Sequence, residues 1–548
     1  MNPTLAPTKA PSERPTSPAR RIRSAPTSRS APARGGSAGQ GPSWFLHGRS
    51  EQWYDRVALV ALGITAVVLG VWNLNGAAIY MDDEGTYTAQ AFSVLEGRLA
   101  PYTYRYDHPP VGWIQLGALA WIPQLLGVGD GTVIGATRYA MVPFFVATAL
   151  LIYLIARRLE LRRPFAVLAV VLFVLSPLSL VYGRQIFLDN IGVPWLLLAF
   201  WMVMSPRAAL WHHIWAGAFF AVAVLSKETL AVFGPALLVA LLNRPTWSNR
   251  AFSVMGFLVV GGTVLNFYPL MAILSGELWS RSDHVSLQDA FVFQFLSRAG
   301  SGSLWDPASV RAERLQSWLY YDQYLITAGV VAGIVCLLQR RTVWIPVALA
   351  TFAVPVVVGQ GYLPGMYIIG ALPFLALAVG AGLETLWERL EKYTATLAAQ
   401  GQVWARRAGV ACIVVGLLPV AHTQWFEQDR RLLTRQVNTD WASALEWVQG
   451  NVPKEDTVLV PYVMWQDLIA TDGRNDPWSV VATEKADLDP QFLVEHPGGW
   501  KEIEWVVVGP STDETIDGLD LGTVRQALDH SVPVHTVGEW SVHHVQRD

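Results

Sequence analysis

Cysteine and charged residues are scarce in this 548-residue chain. Its 2 cysteines are too few for a disulfide scaffold, and both lie in apolar runs that offer no metal-binding cluster. Charged residues make up 15% of the chain, against roughly 25% in soluble proteins. Hydrophobic residues reach 52% and include 24 Trp among the aromatic residues. This composition excludes a wholly soluble enzyme and a disordered tail protein.

Three regions of the chain differ in composition. Residues 1–56 are rich in Pro, Ser, Ala and Arg, and the first fifty carry eight Lys or Arg against one acid, Glu13. Such a segment is predicted to be a disordered tail, held in the cytoplasm by its positive charge. Residues 57–421 contain the long apolar runs. Residues 422–548 carry 22 Asp or Glu and nine Lys or Arg, which is typical of a water-soluble domain.

The apolar runs predict a polytopic membrane protein. Residues 109–127 are apolar but contain three prolines, so we expect a juxtamembrane or re-entrant helix there. Eleven spans place the arginine-rich turns in the cytoplasm, as the positive-inside rule requires, and residues 422–548 outside. About eleven runs approach the roughly 20 apolar residues that a spanning helix needs: 57–75, 137–156, 164–182, 190–204, 210–226, 229–243, 251–275, 322–338, 342–359, 366–385 and 408–421.

The C-terminal region alternates two local patterns. Helical spacing is present near 440–450, 463–471 and 521–530, and extended segments lie near 456–460, 478–482, 503–509, 533–536 and 539–545. Alternation of this kind predicts a small α/β layered domain. The region has no glycine-rich phosphate loop.

Ionisable residues stand at the outer ends of the apolar runs, where burying a charge costs about 2.5–3.5 kcal/mol. Charges that bear this cost usually pair or bind a ligand, so we expect them to line one polar cavity that opens outward. Carboxylates there would deprotonate an attacking hydroxyl, and cations would stabilise a departing lipid phosphate. A sugar on polyprenyl phosphate fits such a cavity. The residues come from three separate turns: Asp82, Asp83, Glu84, Asp107 and His108; Arg184 and Asp189; Lys227 and Glu228.

Structural explanations stay open for each of these groups. The three acids at 82–84 could simply favour a helix N-terminus, and His108 could hold a turn. Arg184 and Asp189 could form an ion pair, and residues 227–228 could snorkel to the interface. At the level of function, a transporter or flippase of a lipid-linked sugar and a scaffold protein are the alternatives. A transporter predicts internal symmetry that the sequence does not show, and a scaffold leaves the charges unexplained.

Three motifs sharpen the interpretation: Tyr80-Met-Asp-Asp-Glu-Gly, Tyr106-Asp-His-Pro-Pro and Gly183-Arg-Gln-Ile-Phe-Leu-Asp. They resemble motifs of the protein O-mannosyltransferase family and its bacterial relatives, including the aminoarabinose transferases, within the GT-C class of integral-membrane glycosyltransferases. Weaker likeness lies at 226–228 and 362–373, and the whole covers roughly residues 57–385. The resemblance implies an α-helical polytopic membrane protein of GT-C type with a small C-terminal extracytoplasmic α/β domain.

The resemblance also implies an activity, namely inverting transfer of a sugar from a polyprenyl-phosphate donor to an acceptor hydroxyl or similar group on the extracytoplasmic face. Asp83 would be the catalytic carboxylate, and Glu84 would support it or help to bind acceptor or metal. A basic residue that often precedes the Leu-Pro of the tenth span is missing from 365–367. The substrate-binding candidates are Asp82, Asp107, His108, Arg184, Asp189, Lys227, Glu228 and Tyr367.

The remaining expectations concern partners. No cofactor is firmly predicted, although a divalent metal is compatible with the carboxylates. The predicted partners are the polyprenyl-phosphate sugar donor, membrane lipids and an acceptor that the sequence does not identify. No nucleic-acid partner is predicted. The predicted location is the cell membrane.

Overall fold

The computed structural model describes residues 49–547, apart from 244–249, 360, 396, 398, 420–423, 472 and 475. Most of the predicted disordered tail therefore lies outside the described residues. The first helix, α1, begins at Arg49, so residues 49–56 are helical rather than part of a tail. Asp55 explains this, because it accepts a hydrogen bond from the Tyr153 hydroxyl at 2.7 Å and pairs with Arg157 at 3.1 Å.

The region before the C-terminal domain is helical. Its α-helices are α1 (Arg49–Val71), α2 (Asp82–Leu95), α3 (Val111–Leu125), α4 (Val133–Tyr139), α5 (Val142–Arg158), α6 (Arg163–Val174), α7 (Pro177–Tyr182), α8 (Leu188–Val203), α9 (Leu210–Ser226), α10 (Gly234–Leu242), α11 (Arg250–Leu265), α12 (Phe267–Ser275), α13 (Leu287–Val292), α14 (Val310–Cys336), α15 (Trp344–Val357), α16 (Leu372–Thr394) and α17 (Ala399–Pro419). Short 3-10 helices, Glu228–Phe233 and Gly365–Gly370, lead into α10 and α16.

The helices confirm a polytopic membrane protein, although not the number of spans. Among the described residues, five helical stretches are long and apolar enough to cross a bilayer: Gln52–Val71, Val133–Arg158, Arg250–Ser275, Val310–Cys336 and Gly365–Thr394. Five shorter apolar helices, Arg163–Val174, Leu188–Val203, Leu210–Ser226, Glu228–Leu242 and Trp344–Val357, coincide with five further predicted spans. The eleventh predicted span, 408–421, falls on α17, which does not meet the same criterion.

Two local predictions are refined by the structure. The proline-rich stretch 109–127 forms α3 as one helix, with Pro123 in its last turn. The mixture of Leu, Trp, Glu, Lys and Arg at helical spacing in residues 386–407 predicts a cytosolic amphipathic helix lying on the membrane. The structure divides this segment between two longer helices, because α16 continues to Thr394 and α17 begins at Ala399. Glu384 explains part of this continuation, since it accepts a hydrogen bond from the Arg162 backbone N–H at 2.7 Å and so holds α16 beyond its apolar part.

The C-terminal region is the predicted small α/β domain. It comprises α18 (Trp425–Thr434), α19 (Thr439–Asn451), β1 (Val458–Val460), α20 (Tyr462–Thr471), β2 (Val480–Ala482), α21 (Lys485–Leu488), α22 (Phe492–Glu495), β3 (Trp505–Val508), α23 (Thr512–Leu519), α24 (Gly522–Asp529), β4 (Ser531–Val537) and β5 (Trp540–Val545). The sheet order is β2-β1-β3-β5-β4. Strand β1 runs parallel to β2 and β3, and β5 is antiparallel to β3 and β4.

Buried polar contacts attach this domain to the helical part, and residues 49–548 form one compact unit. The Tyr102 hydroxyl accepts a hydrogen bond from the Ala482 N–H at 2.9 Å, at the end of β2. Asp489 accepts from the Thr103 N–H at 2.9 Å and from its hydroxyl at 2.7 Å. Buried carboxylates need such donors, so these contacts fix the first outer loop against the domain.

The two parts approach each other closely at Gly85, in the first turn of α2. A Cβ on Gly85 would lie 2.2 Å from the Tyr462 carbonyl oxygen and 2.4 Å from the Val463 backbone nitrogen. Both obstacles are backbone atoms, so they cannot move aside as a flexible side chain could. Only glycine permits α2 and α20 to meet at this point.

We therefore expect Gly85→Ala to destabilise the docked domain by about 1–3 kcal/mol, as overpacking does. Gly450→Ala in α19 is the matched control, because a Cβ there meets nothing within 4 Å and alanine favours a helix. Thermal unfolding and limited proteolysis of the detergent-solubilised protein would measure the effect. Equal stability of the two variants would contradict this account of the interface.

Candidate functional site

The site is organised by the first turn of α2. Three consecutive acids, Asp82, Asp83 and Glu84, occupy this turn, where they favour the positive end of the helix dipole. Successive residues of a helix point about 100° apart, so the three carboxylates enter different surroundings.

Glu84 points into the core and is fully buried. Arg138 of α4 donates to it twice, at 2.6 and 2.8 Å. The Gln185 amide and the Ile186 N–H add bonds of 2.9 and 3.0 Å, and the Met81 N–H adds one of 3.2 Å. Five donors therefore occupy the two carboxylate oxygens of Glu84. This arrangement fits a supporting role next to Asp83 better than contact with an acceptor or a metal.

Asp83 is half-buried. Among the residues that the structure describes, none donates a hydrogen bond to its carboxylate or forms an ion pair with it. Burial raises the pKa of Tyr87, one turn along α2, and further acids raise it in turn: Asp83, Asp107, Asp189 and Glu228. These four acids therefore act electrostatically on Tyr87, and the His108 ring centre and the Lys227 Nζ each lie 6.0 Å from the centre of its ring. We call this group the Tyr87 cluster: Tyr87, Asp83, Asp107, His108, Asp189, Lys227 and Glu228.

His108 joins two of the predicted residues within the cluster. Its Nδ1 lies 3.1 Å from both carboxylate oxygens of Glu228, and its Nε2 lies 2.9 Å from the Lys227 Nζ. An ammonium can only donate, so Nε2 accepts and the ring proton on Nδ1 faces Glu228. Lys227 is 5% exposed, and this burial rules out the snorkelling explanation for it.

Asp107 and Asp189 complete the cluster. Asp107 accepts from the Gln90 amide at 3.0 and 3.1 Å and from the His108 N–H at 3.0 Å. Asp189 is 2% exposed and lies 3.5 Å from the Thr229 hydroxyl. The described contacts show no ion pair between Asp189 and Arg184, so that structural alternative is wrong.

Arg184 lies beside the cluster rather than in it. Its guanidinium donates to the backbone carbonyls of Trp72 at 2.8 Å and Ala77 at 3.3 Å, and its Nε donates to the Leu180 carbonyl at 2.7 Å. These bonds hold the chain that follows α1 against the segment that precedes α8. Arg184 therefore secures the segment that carries Gln185 and Ile186 to Glu84, and a substrate contact stays a prediction.

Asp82 faces the C-terminal domain. It accepts from the Val463 N–H and from the Ser511 hydroxyl, both at 3.3 Å. Burial, followed by the negative charge of Glu484, raises the pKa of Asp82 from 3.8 to about 7.

Sequence reasoning missed two cations that act, with Asp83, on Tyr362. The Arg298 guanidinium stacks 3.6 Å from the centre of the Tyr362 ring, and Arg314 in α14 lies 3.8 Å from Glu514 of the C-terminal domain. Burial raises the pKa of Tyr362, as does the charge of Asp83, whereas Arg298 and Arg314 lower it. These arginines provide positive charge near Tyr362, although residues 365–367 lack the basic residue that the resemblance leads us to expect there. No spacing pattern in the sequence links the two arginines to Asp83.

Tyr367 and the metal prediction can also be placed. Tyr367 is buried and stacks on Phe352, with ring centres 5.0 Å apart. Within the described ranges, no three His, Cys, Asp or Glu side chains are grouped so that they could hold a metal ion. A divalent metal stays a prediction.

Comparisons with known structures define the class of fold. ArnT from Cupriavidus metallidurans bound to undecaprenyl phosphate is similar over 90% of this chain and 98% of its own, with a TM-score of 0.54 at 16% identity. The oligosaccharyltransferase AglB from Archaeoglobus fulgidus, in complex with an inhibitory peptide and a dolichol-phosphate, is similar over 89% and 73%, with a TM-score of 0.52 at 12% identity. The chain has the fold of the GT-C glycosyltransferases.

The sequence comparison agrees with the fold. Residues 107–272 match the family described as dolichyl-phosphate-mannose-protein mannosyltransferase. The predicted resemblance to the protein O-mannosyltransferase and aminoarabinose transferase-like family is therefore confirmed, and the matched segment contains the His108, Asp189 and Lys227 positions. No curated protein matches the chain significantly in sequence.

The Glu84–Arg138 pair gives a first prediction for the site. Glu84→Gln leaves the fully buried Arg138 charge without its counterion, so we expect a loss of about 3–5 kcal/mol in stability. Glu96→Gln, at the C-cap of α2, removes one partner of an exposed pair with Arg98, which is worth about 0–1 kcal/mol. Thermal unfolding in detergent would compare the two. A Glu84→Gln protein as stable as the Glu96→Gln protein would show that the pair does not support the fold.

The Asp82 pKa gives a prediction in pH. Because the pKa of Asp82 is raised to about 7 in the folded protein, the folded state keeps a proton that the unfolded state loses above pH about 4. The contribution of Asp82 to the free energy of unfolding is therefore complete below pH about 4 and is lost as the pH rises to about 7. We expect Asp82→Asn to weaken the decline in unfolding temperature over this range. An unchanged pH profile would contradict the assignment.

Proposed function

We propose that this protein transfers a sugar from a polyprenyl-phosphate donor to a hydroxyl of an acceptor, with inversion, on the extracytoplasmic face of the cell membrane. The observation that carries the proposal is Asp83, a carboxylate with no hydrogen-bond or ion-pair partner among the described residues. The positive-inside assignment supports this face, with the N-terminus cytoplasmic and the C-terminal domain outside.

The proposed reaction is a single nucleophilic displacement at the anomeric carbon of the sugar. The acceptor oxygen attacks the anomeric carbon, its proton passes to Asp83, and the bond between that carbon and the phosphate oxygen breaks. The electron pair leaves on the polyprenyl phosphate. A single displacement inverts the anomeric carbon and needs one carboxylate as the base, and Glu84 is already occupied by its five donors.

The leaving phosphate needs cations. Lys227 lies beside the Tyr87 ring, and Arg298 and Arg314 lower the pKa of Tyr362, which the charge of Asp83 raises. Preorganised cations of this kind stabilise a departing anion. The similar ArnT structure was solved with undecaprenyl phosphate bound, which supports a lipid-phosphate donor here. The hydrogen-bond partner that the described contacts give the Lys227 Nζ is the His108 ring rather than a carboxylate.

Asp83→Asn is the decisive variant. Loss of the base should reduce transfer by about 10²–10⁴-fold, the range that general-base catalysis supplies. The assay reconstitutes the protein in vesicles with a panel of undecaprenyl-phosphate pentoses and hexoses and measures release of undecaprenyl phosphate. Asp529→Asn, an exposed acid in α24, is the matched control and should keep full activity.

Two results would contradict the proposal. If Asp83→Asn folds and transfers sugar as well as the Asp529→Asn control, Asp83 is not the base. If the lipid-linked sugar crosses the vesicle membrane with its sugar–phosphate bond intact, the transporter alternative is correct.

A further inference from the structure

The loop between α12 and α14 presents exposed apolar side chains that the mechanism above does not use. Within it, α13 continues into one turn of π-helix that ends at Ser297, and we call residues 287–297 the loop helix. Contact of contiguous apolar groups with water is unfavourable, so the surroundings of this helix need an explanation. Three of its apolar side chains are exposed: Phe291, at 57%, Val292, at 36%, and Leu296, at 75%.

Apolar contacts place the loop helix beside the end of a membrane-spanning stretch. Ala290 in α13 and Ala272 in α12 are buried in one apolar cluster, which also contains Tyr104 and Tyr106. The stretch Arg250–Ser275 is long and apolar enough to cross a bilayer, and α12 forms its end. A helix rises 1.5 Å per residue, so Ala272 lies about 5 Å before that end. The loop helix therefore packs against the last turn of the spanning stretch.

Hydrogen bonds hold the loop helix in this position. The Leu287 N–H donates to the Glu277 carbonyl at 2.9 Å. The next N–H, of Gln288, donates to the Leu278 carbonyl at 3.2 Å. The Tyr106 hydroxyl donates to the Glu277 carboxylate at 2.6 Å. The chain therefore turns back toward α12 immediately after leaving it.

The exposed face has the composition of a surface that meets lipid. Leu274, in the last turn of α12, is exposed in the same way, as a side chain on the lipid-facing side of a spanning stretch must be. The only charged residue in 287–297 is Asp289. Its carboxylate accepts from the Ser286 hydroxyl at 2.7 Å and from the Ser286 N–H at 3.0 Å, so it belongs to the helix cap rather than to the exposed face.

We propose that the loop helix is a membrane anchor, and that lipids of the leaflet in which the stretch Arg250–Ser275 ends cover its exposed face. Faces of this kind lie about 5–10 Å into the boundary between headgroups and acyl chains. The exposed Trp279 follows the spanning stretch closely, and tryptophan prefers this boundary. Under the orientation proposed above the leaflet is the outer one, although the inference does not depend on that orientation.

The anchor also carries a cation of the candidate site. Arg298 directly follows the loop helix, donates to the Gln294 side-chain oxygen at 3.2 Å and stacks on the Tyr362 ring. An anchored loop helix therefore holds this guanidinium close to the level of the lipid headgroups.

Nitroxide labels on the full-length protein test the position of the exposed face. The background is Cys412→Ser, because Cys412 is exposed whereas Cys336 is buried. The label sits at Leu296→Cys, with Leu274→Cys as the lipid-facing control and Leu493→Cys, exposed in α22, as the water-facing control. In vesicles of phosphatidylethanolamine and phosphatidylglycerol, the accessibility to oxygen relative to a water-soluble nickel chelate should be about threefold or more higher at position 296 than at 493.

Two results would overturn the inference. A ratio at Leu296→Cys equal to that at Leu493→Cys would show that the face lies in water. A label that neither reagent reaches, or that couples to a label on another molecule, would show that protein covers the face. If Leu296→Cys fails to fold, Phe291→Cys replaces it and should give the same ratio. Sugar transfer enters none of these measurements, so the proposed function is tested separately.

Discussion

The buried ion pair between Glu84 and Arg138 is the contact on which the rest of the site depends. It joins α2 to α4, and the bonds from Gln185 and Ile186 bring in the turn before α8. Two charges taken out of water are stable only where their remaining hydrogen-bonding groups are satisfied, and five donors satisfy Glu84. With Glu84 held in the core, the helix turns Asp83 away from those donors and leaves its carboxylate without a hydrogen-bond donor among the described residues.

The charged residues of the candidate site form two separate groups. Lys227, His108 and Glu228 form one hydrogen-bonded group, with His108 between a donor and an acceptor. Arg298 belongs to a second group, in which it stacks on Tyr362. Under the proposed function, this division would provide cations for a lipid phosphate apart from the carboxylate of Asp83, with each cation in position before a substrate arrives.

The C-terminal domain is part of the site rather than an appendage. Backbone contact at Gly85 and the bonds of Tyr102 and Asp489 fix it against the first outer loop. Ser511 and Val463 then reach Asp82, in the same turn as Asp83. Any movement of the domain must therefore alter the surroundings of the proposed base.

The sequence by itself determined the apolar runs, the α/β pattern of residues 440–545 and the motifs around Asp83, His108 and Lys227, because periodicity and charge placement are local properties. It also indicated that these charges meet. Only the tertiary structure decided what each charged residue contacts: donors enclose Glu84, Arg184 binds backbone carbonyls, and Asp82 contacts the C-terminal domain. Which donor pairs with which acceptor depends on segments that are distant in sequence. The spacing of residues along the chain does not encode that pairing.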